Sequence, residues 1–535
     1  MRTLALAAVA TAVALAAGSS ALASGGGWAP TKTQGLTLQG TRIGPLAPAT
    51  PLRIAVALQM RNAAGLQSTI VSRARLTPAQ FEQTYAPEAA TARAVKSYLE
   101  QEGLTNVAVT PNRLFVTADA TASQAEGAFD TPLVSYRVNG ATMYANVDPA
   151  EVPTTLGGVV LSVLGLNDAP TMSGNVGSVP NYLTAYAPQG FWSAYGVGDT
   201  PTGSQSAIAV FGSGDMTGVI GDLRNEEEAD GLAQVPVSVV YTGLVTPQVG
   251  DDPDEWDMDT QFSTGMAGDA SQLYIYSAST LTDSDLALAF NAFASQDLAQ
   301  AGSASFGECE YQAYLDGAMV AWDQVFAEAA AQGQTVFASS GDTGGFCPVA
   351  PNNGVPAGAP DVSYPASSPY VVAVGGTTLL TNADGSYDDE TAWLAGGGGP
   401  SLFELQPYWQ SGVAPPTGST CVEAVACVGK TLPDIAMDAD PESGANVYIG
   451  GTPEGVGGTS LSSPLALGVW ARLESSHANA LGFAALPLYR AYGSPGFHDV
   501  VLGDTGPYPA TPGYDLATGM GSFDVAAMNG VIAGS

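Results

Sequence analysis

The alternation of apolar and polar residues divides the chain into two regions with different predicted architectures. In the first region, Leu52–Leu58 predicts a strand, and Ala89–Gln101 repeats its apolar residues with the period of a helix. Asn139-Gly140 joins two short alternating runs and predicts a hairpin. These patterns predict an α+β unit over 51–166. Its other predicted elements are a helix capped by Thr77, strands at 107–109 and 113–117, a helix at 123–129, and hairpin strands at 133–138 and 142–145.

A stretch rich in Gly, Ser and Pro at 167–180 predicts an exposed linker that is open to proteolysis. From 181 to 535, short β-rich runs alternate with helical stretches, which predicts a mostly parallel sheet with helices on both faces. Functional residues of such a sheet are expected at the carboxyl ends of its strands. The β-rich runs are 206–211, 237–241, 272–277, 304–306, 335–339 and 371–374, and the helical stretches are 217–229, 259–268, 283–299 and 313–332.

The N-terminus has the pattern of a secretory signal. Residues 1–23 combine a positive Arg2, a short apolar core and a small-residue cleavage site, and a polar leader over 24–50 follows. A membrane anchor is the alternative, but the apolar run is short and rich in alanine. No later run is long and uncharged enough to span a bilayer. We therefore expect an exported, extracellular protein.

Four cysteines suit an oxidising compartment and allow three pairings. Cys421–Cys427 closes the shortest loop, and Cys309–Cys347 would then be its complement. Four buried thiols are the alternative, which export disfavours.

The formal net charge of −35 argues against a nucleic-acid partner. Eleven of the fifteen Lys and Arg residues precede residue 175, so a basic first region is followed by a strongly acidic one. At about pH 3 to 4 many carboxylates are neutral, and so few basic groups leave little positive self-repulsion. We hypothesise that charge partly holds the two regions together, and that acid weakens this hold.

Residues 457–464, Gly-Gly-Thr-Ser-Leu-Ser-Ser-Pro, offer Ser460 as a nucleophile at the start of a buried helix. The two histidines, His477 and His498, both follow it. Subtilisin-type hydrolases share a Gly-Thr-Ser-x-x-x-Pro pattern but place their Asp and His before the serine, so that class is excluded. A carboxylate base is the remaining option, and it predicts activity in acid, where imidazole is protonated. A tight turn without chemistry is the alternative.

Two acidic motifs could supply the rest of the chemistry. Glu255 and Asp259 stand four residues apart, so a helix would place them on one face, where one can act as base while the other orients it. Asp342 lies on a glycine-lined turn after a predicted strand, where a neutral carboxyl could donate to an oxyanion. The alternatives are a solvated acidic helix start and an ordinary Asx turn.

These motifs, in this order, resemble the sedolisin (serine-carboxyl peptidase) family, which includes kumamolisin and pseudomonalisin. The segments that carry the resemblance are Glu255-Trp256-Asp257-Met258-Asp259, Ser340-Gly341-Asp342 and Gly457-Gly458-Thr459-Ser460. Two shorter segments, Phe306-Gly307 and Tyr364-Pro365, also resemble the family. The unit from Leu76 to Asp168 is similar to the activation prodomain of that family. The resemblance implies Ser460 as nucleophile, Glu255 as general base, Asp259 as its orienter and Asp342 as the oxyanion acid.

The resemblance also implies one structural calcium ion near the C-terminus. Asp499 and Asp515 would supply carboxylates, and Val500, Thr511 and Gly513 would supply main-chain oxygens, as a hard cation requires. His498 is expected to be a packed or surface residue. An Asp-rich turn without metal is the alternative.

The expected fold is α/β: a subtilisin-like catalytic domain with a mostly parallel sheet, preceded by an α+β, ferredoxin-like prodomain. The expected function is that of a secreted, acid-acting serine-carboxyl endopeptidase made as a zymogen, with protein or peptide substrates and its own prodomain as partners. We expect a monomer that binds neither nucleic acid nor membrane. The alternatives are a tripeptidyl-peptidase of the same family, a non-catalytic peptide-binding relative, and a glycosidase that uses Glu255 with a second acid but leaves Ser460 unexplained.

Overall fold

The fold is taken from a computed structural model of the chain. It describes residues 27–38, 40–138, 140–168, 173–174, 177–178, 185–243, 253–346, 360–415, 418–419 and 427–532. The predicted signal at 1–23 lies outside these ranges and stays a prediction. Within them, every helix is too short or too polar to cross a bilayer.

The N-terminal domain combines small antiparallel sheets with helices. Its elements are β1 (Trp28–Pro30), β2 (Thr41–Pro45), β3 (Pro51–Leu58), α1 (Ala63–Val71), α2 (Pro78–Thr84), α3 (Ala89–Gln101), β4 (Thr105–Val109), β5 (Phe115–Thr121), α4 (Ala122–Phe129), β6 (Leu133–Val138), β7 (Ala141–Asn146), β8 (Glu151–Pro153) and β9 (Val160–Leu164). Thr77 caps α2, as its sequence predicts, through a capping box with Gln80.

The main sheet of this domain has the strand order β4–β5–β3–β9, with all pairs antiparallel. With α3 after β3 and α4 after β5, this is the βαββαβ arrangement of a ferredoxin-like fold. Strands β1 and β2, which fall within the predicted polar leader, pair with β8 and β6. The predicted α+β, ferredoxin-like prodomain is confirmed.

The C-terminal domain alternates strands and helices. Its elements as far as residue 339 are β10 (Ser173–Gly174), β11 (Gly177–Ser178), α5 (Pro188–Ala194), β12 (Ala207–Ser213), α6 (Thr217–Asp230), β13 (Val237–Tyr241), α7 (Pro253–Ala267), β14 (Gln272–Ala278), α8 (Asp283–Gln296), β15 (Ala301–Ala304), β16 (Phe306–Cys309), α9 (Glu310–Asp316), α10 (Ala318–Gln332) and β17 (Thr335–Ser339). The remaining elements are β18 (Ser363–Tyr364), β19 (Val371–Thr381), β20 (Tyr387–Ala392), β21 (Gly399–Leu405), β22 (Gly418–Ser419), β23 (Cys427–Leu432), β24 (Ile435–Asp438), β25 (Ala445–Ile449), β26 (Thr452–Gly457), α11 (Thr459–Ser476), α12 (Ala485–Arg490), β27 (Phe497–His498), β28 (Ser522–Phe523) and α13 (Val525–Ile532).

The central sheet has the order β13–β14–β12–β15–β17–β19–β20, and β24 also pairs with β19. All pairs are parallel except β19–β20. The predicted mostly parallel sheet is confirmed. Strand β15 lies in its middle, so the residue after β15 lies near the centre of the domain.

Several predicted boundaries differ from the structure; strand β19, for example, continues to Thr381, beyond the predicted 371–374. Helix α7 begins at Pro253, six residues before the predicted start, because the acidic residues of its first turn are helical rather than loop residues. The predicted helix at 313–332 is two helices, because Gly317 has a left-handed backbone with φ 83°. The predicted strand at 304–306 spans two strands, β15 and β16, with Ser305 between them.

The prodomain packs one face of its main sheet on helices α8 and α10. Successive side chains of β3 alternate: Ile54 and Val56 lie in the prodomain's own core, whereas Ala55 and Ala57 lie in the core shared with the C-terminal domain. Phe81 of α2 also belongs to the shared core. The two domains are therefore joined mainly by apolar packing.

Polar contacts complete this interface. Gln324 of α10 accepts from Met60 N at 2.6 Å and donates to Leu58 O at 3.1 Å. Asn112 donates to Glu328 Oε2 at 2.6 Å. Arg53 Nε lies 3.7 Å from Asp285 Oδ1, so the hypothesised charge contacts exist but are few beside the neutral ones.

Candidate active site

Helix α11 holds Ser460 in its first turn. Gly458, just before the helix, has a φ of 123°, a conformation that residues with a Cβ rarely adopt. At Gly468 the helix lies so close to α7 that an added Cβ would be 2.7 Å from Ser263 O. These glycines let the chain turn sharply into α11 and let α11 pack tightly on α7. Ser460 itself has no solvent exposure.

Helix α7 carries Glu255 and Asp259 one turn apart, as their spacing predicts. Both side chains have no solvent exposure. Helix α7 packs against α11, and Ser305 bridges Asp259 of α7 and the Ser460 carbonyl of α11, so the carboxyls and Ser460 lie in one buried region. Burial raises the pKa of Asp259 well above its usual range, against a hydrogen bond from Ser305 that lowers it.

Ser305, between β15 and β16, is bonded to two members of this group. Its hydroxyl donates to Asp259 Oδ1 in a short hydrogen bond and lies 3.2 Å from Ser460 O. The Ser460 hydroxyl donates to Ser305 O at 3.0 Å. Sequence reasoning missed this residue, although the rule that functional residues follow the carboxyl ends of parallel strands applies to it.

Asp342 lies after β17 and caps α11. Its Oδ1 accepts from Thr459 N at 2.8 Å and from Thr459 Oγ1 at 2.7 Å. Burial raises the pKa of Asp342 to about 7, although both Thr459 hydrogen bonds lower it. A carboxyl with that pKa is neutral in acid. Since Oδ1 accepts both donors, Oδ2 is the oxygen left to carry the proton.

Both histidines contact residues outside the group of Ser460, Glu255 and Asp259. His477 follows the last residue of α11, about 25 Å from Ser460 at 1.5 Å per residue, and its Nε2 lies 3.0 Å from Asn529 Oδ1. His477 is therefore too far away to take the Ser460 proton. The His498 ring is packed on Tyr387, with ring centroids 3.7 Å apart.

The linker enters this region as two short strands. Antiparallel pairing joins β10 to β16, with Ser173 opposite Gly307. It also joins β11 to β26, with Gly177 opposite Gly457. Because β16 directly follows Ser305 and β26 directly precedes Gly458, the linker is bound on both sides of the catalytic region.

The predicted calcium ligands lie near the C-terminus around one loop. The Asp499 carboxylate accepts from Gly513 N at 2.9 Å, and Asp515 Oδ2 accepts from Thr511 N at 2.7 Å. Asp515 and Val500 are buried, whereas Asp499 and Thr511 are exposed. Burial raises the pKa of Asp515. The structure thus brings both carboxylates to the 511–513 loop.

A second acidic group was not predicted. Asp283, Glu308 and Asp316 offer carboxylate oxygens within 4.8 Å of one another, the spacing of a possible metal site, and all three are buried. Burial raises the pKa of Glu308 and raises that of Asp316 to about 6. Hydrogen bonding among these carboxyls accounts for their close approach without an ion.

The predicted disulfides involve Cys347 and Cys421, which lie outside the described residues, so the pairing of the four cysteines stays a prediction. Of the predicted catalytic residues, Ser460, Glu255 and Asp259 are brought together by α7 and α11, and Asp342 is joined to the same helix through Thr459. Thr459 and Ser305 are the contacts that sequence reasoning missed.

Comparison with known families divides the chain in the same way. Residues 39–169 match the activation domain of pro-kumamolisin, and residues 249–486 match the subtilase family. The staphylococcal epidermin leader peptide processing serine protease, 13% identical with a TM-score of 0.50 over 90% of this chain, shares the fold. The subtilisin-like class of the C-terminal domain is confirmed.

Individual relatives extend over most of the chain. Sedolisin of Pseudomonas sp. (strain 101) is 37% identical over 94% of this chain and 92% of its own length. Xanthomonalisin of Xanthomonas sp. (strain T-22) is 34% identical over 97% of this chain and 70% of its own. The solved structure of Pseudomonas sedolisin, a serine-carboxyl proteinase complexed with pseudo-iodotyrostatin, is 36% identical, with a TM-score of 0.61 over 66% of this chain and 100% of its own. The chain belongs to the sedolisin family and is a serine-carboxyl peptidase with an activation prodomain.

Proposed function

We propose that this peptidase is a secreted, acid-acting endopeptidase that cleaves peptide bonds through Ser460, Glu255 and Asp259. The observation that carries the proposal is the burial of these three side chains on two helices that pack together, with Ser305 bridging Asp259 and Ser460, while the histidines contact Asn529 and Tyr387. In this arrangement a carboxylate is the base available to the nucleophile.

Ser460 attacks the substrate carbonyl carbon while its proton passes to Glu255, and Glu255 then returns that proton to the leaving amine. Asp259, one helical turn away, holds Glu255 in the orientation that accepts the proton. Burial raises the pKa of Asp259, which favours a single negative charge shared by the pair.

Asp342 donates to the oxyanion that forms on the substrate carbonyl, alongside the Ser460 N–H at the helix N-terminus. The raised pKa of Asp342, about 7, supports a neutral carboxyl at acid pH. Activity is then lost as the pH rises through about 7, because the ionised carboxylate cannot donate. At the acid end, activity is lost when the Glu255–Asp259 pair becomes fully protonated. The two limits predict a bell-shaped profile.

The linker strands support endopeptidase action and self-processing. A chain bound on both sides of the nucleophile, by β16 and by β26, is held as an internal peptide segment rather than by a free end. Binding of this kind favours an endopeptidase over a tripeptidyl-peptidase, which recognises a free N-terminus. We therefore place the processing bond within 173–178, inside the predicted linker.

We also propose one structural calcium ion at the C-terminal loop. Asp499 and Asp515 meet at the 511–513 loop, and with the main-chain oxygens of Val500, Thr511 and Gly513 they form an all-oxygen donor set, which suits a hard cation. The ion would tie this loop to the segment at 499–500. Export, implied by the signal at 1–23, would supply calcium and an environment in which the cysteines pair.

The catalytic proposal is tested by assaying the precursor variants Ser460→Ala and Glu255→Gln on denatured protein between pH 2 and pH 8. We expect each to lose about 10³-fold or more of the activity. Ser462→Ala is the matched control, because this buried serine lies in the same helix turn but its hydroxyl lies 3.0 Å from both Met437 O and Asp438 O, either of which can accept its proton. Activity that survives both catalytic changes, or that peaks in alkaline buffer, would refute a serine-carboxyl mechanism.

A further inference from the structure

Ser305 has a single hydroxyl proton and two acceptors for it. Its Oγ is in a short hydrogen bond with Asp259 Oδ1 and lies 3.2 Å from Ser460 O, and all three residues have no solvent exposure. A hydroxyl can donate to only one acceptor at a time. The direction of this bond therefore depends on whether Asp259 Oδ1 carries a proton.

The carbonyl of Ser460 does not receive the hydrogen bond that residue i+4 of a helix normally donates. In an α-helix the carbonyl of residue i accepts from the N–H of residue i+4, and here that residue is Pro464, which has no N–H. Ser305 Oγ lies within hydrogen-bond distance of this carbonyl. The same residue's own carbonyl accepts the Ser460 hydroxyl at 3.0 Å. Ser305 thus contacts the nucleophilic residue on both sides of its peptide unit.

When Ser305 donates to Asp259 Oδ1, the proton of Asp259 can reside only on Oδ2, away from Ser305. One helical turn from Asp259 is Glu255. If Oδ1 carried the proton instead, it would donate a hydrogen bond to Ser305 Oγ. The Ser305 hydroxyl would then be able to donate to the Ser460 carbonyl. The protonation of Asp259 therefore determines whether the Ser305 hydroxyl donates to Asp259 or to the carbonyl of Ser460.

We propose that Ser305 is a positioning residue of the catalytic centre: its hydroxyl fixes which oxygen of Asp259 holds the proton and anchors the Ser460 peptide unit. This inference rests on the proposed roles of Glu255 and Asp259. It assigns a function to the residue between β15 and β16, at the carboxyl end of a central strand and directly before the strand that pairs with the linker.

The hydrogen bond from Ser305 lowers the pKa of Asp259 against the larger effect of burial. Removing the donor destabilises the ionised pair relative to the fully protonated one. The acid limb of the kcat/KM profile should therefore move to higher pH. A lost hydrogen bond to a charged group corresponds to a shift of about one pH unit, which is about tenfold in kcat/KM at the acid end.

The test compares Ser305→Ala with Ser303→Ala in the full chain after acid activation. Ser303 is the matched control: it lies two residues earlier, has no solvent exposure, and its Oγ bonds Ser463 Oγ of α11 at 2.7 Å without touching Asp259. We expect Ser305→Ala to shift the acid limb upward and lower kcat with little change in KM. Ser303→Ala should lower Tm by a similar amount and leave the limb in place.

Ser305→Thr keeps the hydroxyl and should restore the wild-type limb, which keeps the inference testable if the alanine variant folds poorly. An acid limb unmoved in Ser305→Ala, or an equal shift in Ser303→Ala, would overturn the role of Ser305. In either case a complete loss of activity in Glu255→Gln would leave the proposed function standing, whereas activity in that variant would remove the basis of both.

Discussion

The two domains place their carboxyl groups in opposite environments. In the prodomain, glutamates form ion pairs at the surface: Arg61 pairs with Glu88, Arg113 with Glu82, and Lys96 with Glu100, and these glutamate side chains are about half exposed. In the peptidase domain, several glutamates are instead buried with few cations nearby. Glu226, Glu308, Glu310, Glu328 and Glu390 are each at most 5% exposed.

Burial has the same consequence for each of these buried groups. It raises the pKa of Glu310 and Glu328 to about 8 and that of Glu390 to about 7, because the charged form is disfavoured away from water. A carboxyl of this kind is neutral at acid pH and then costs nothing to bury. The buried carboxyls of the peptidase domain therefore favour folding in acid, whereas the prodomain keeps ordinary surface ion pairs.

The largest expected effect is a loss of stability as the pH rises. Each carboxyl whose folded pKa is raised contributes stability that is fully present below about pH 4.5 and is lost as the pH rises through the folded pKa. For Glu328, raised to about 8, the difference is about 5 kcal/mol. Calorimetry on the Ser460→Ala precursor should show Tm falling by about 10 °C or more between pH 4 and pH 8.5.

Glu328→Gln isolates the effect of one buried carboxyl, since the amide is neutral at every pH and can still accept a hydrogen bond from Asn112. It should raise Tm at pH 8.5 and change it little at pH 4. Glu88→Gln, an exposed glutamate of the prodomain, is the matched control and should give no pH-dependent gain. A Tm that is flat or rising up to pH 8.5 would contradict the contrast between the domains.

An intermediate effect concerns release of the prodomain. Protonating Glu328 weakens the hydrogen bond that it accepts from Asn112 of the prodomain, because that bond favours the ionised carboxyl, and protonating Asp285 weakens its pair with Arg53. Acid therefore weakens both polar contacts, but apolar packing carries most of the interface. We expect the Ser460→Ala precursor, once cut in the linker by an added protease, to retain its prodomain within about tenfold in Kd from pH 7.5 to pH 4.5.

Size-exclusion chromatography at the two pH values, with Arg53→Gln as the comparison, measures this retention. Complete release at pH 4.5 that salt reproduces at pH 7.5 would instead support the hypothesis that charge holds the domains together. Retention would mean that cleavage of the linker, rather than acid itself, is the step that frees the prodomain.

The smallest effect is expected for the surface ion pairs. A double-mutant cycle with Arg61→Gln and Glu88→Gln should give a coupling energy of about 0.5 kcal/mol, because both groups remain partly hydrated and screened by salt. The measurement is the free energy of unfolding in denaturant at pH 7. A coupling energy of several kcal/mol would mean that the prodomain's surface ion pairs contribute as much to the free energy of unfolding as the buried carboxyls do, which would contradict the contrast between the domains.

Much of the fold was predictable because its signals are local. The helix at Ala89–Gln101 and the strands at Thr335–Ser339 and Val237–Tyr241 have the predicted bounds, since their apolar periods are unbroken. The prediction was wrong at Gly317, where the apolar period continues across a left-handed residue that separates two helices. It was also wrong at Ser305, where a short β-rich run contains a break between two strands.

In the candidate site, too, local spacings were predictable from the sequence, whereas contacts between distant residues were not. The pairing of Glu255 with Asp259 depends on a spacing of four residues within one helix, which the sequence states directly. The bond from Thr459 to Asp342 joins residues 117 positions apart, and the bond from Ser305 to Asp259 joins residues 46 apart. No periodic pattern encodes contacts of this length.

The groups that we propose to react follow from the sequence alone: a serine in a glycine-framed motif, two acids one helical turn apart, and histidines too late in the chain for the subtilisin order. Which oxygen of each acid meets which donor, and how the linker pairs with strands on both sides of Ser460, depends on the tertiary structure. The physical reason is that residue identity and local spacing are written in the chain, whereas distances between elements arise from how the helices pack on the central sheet.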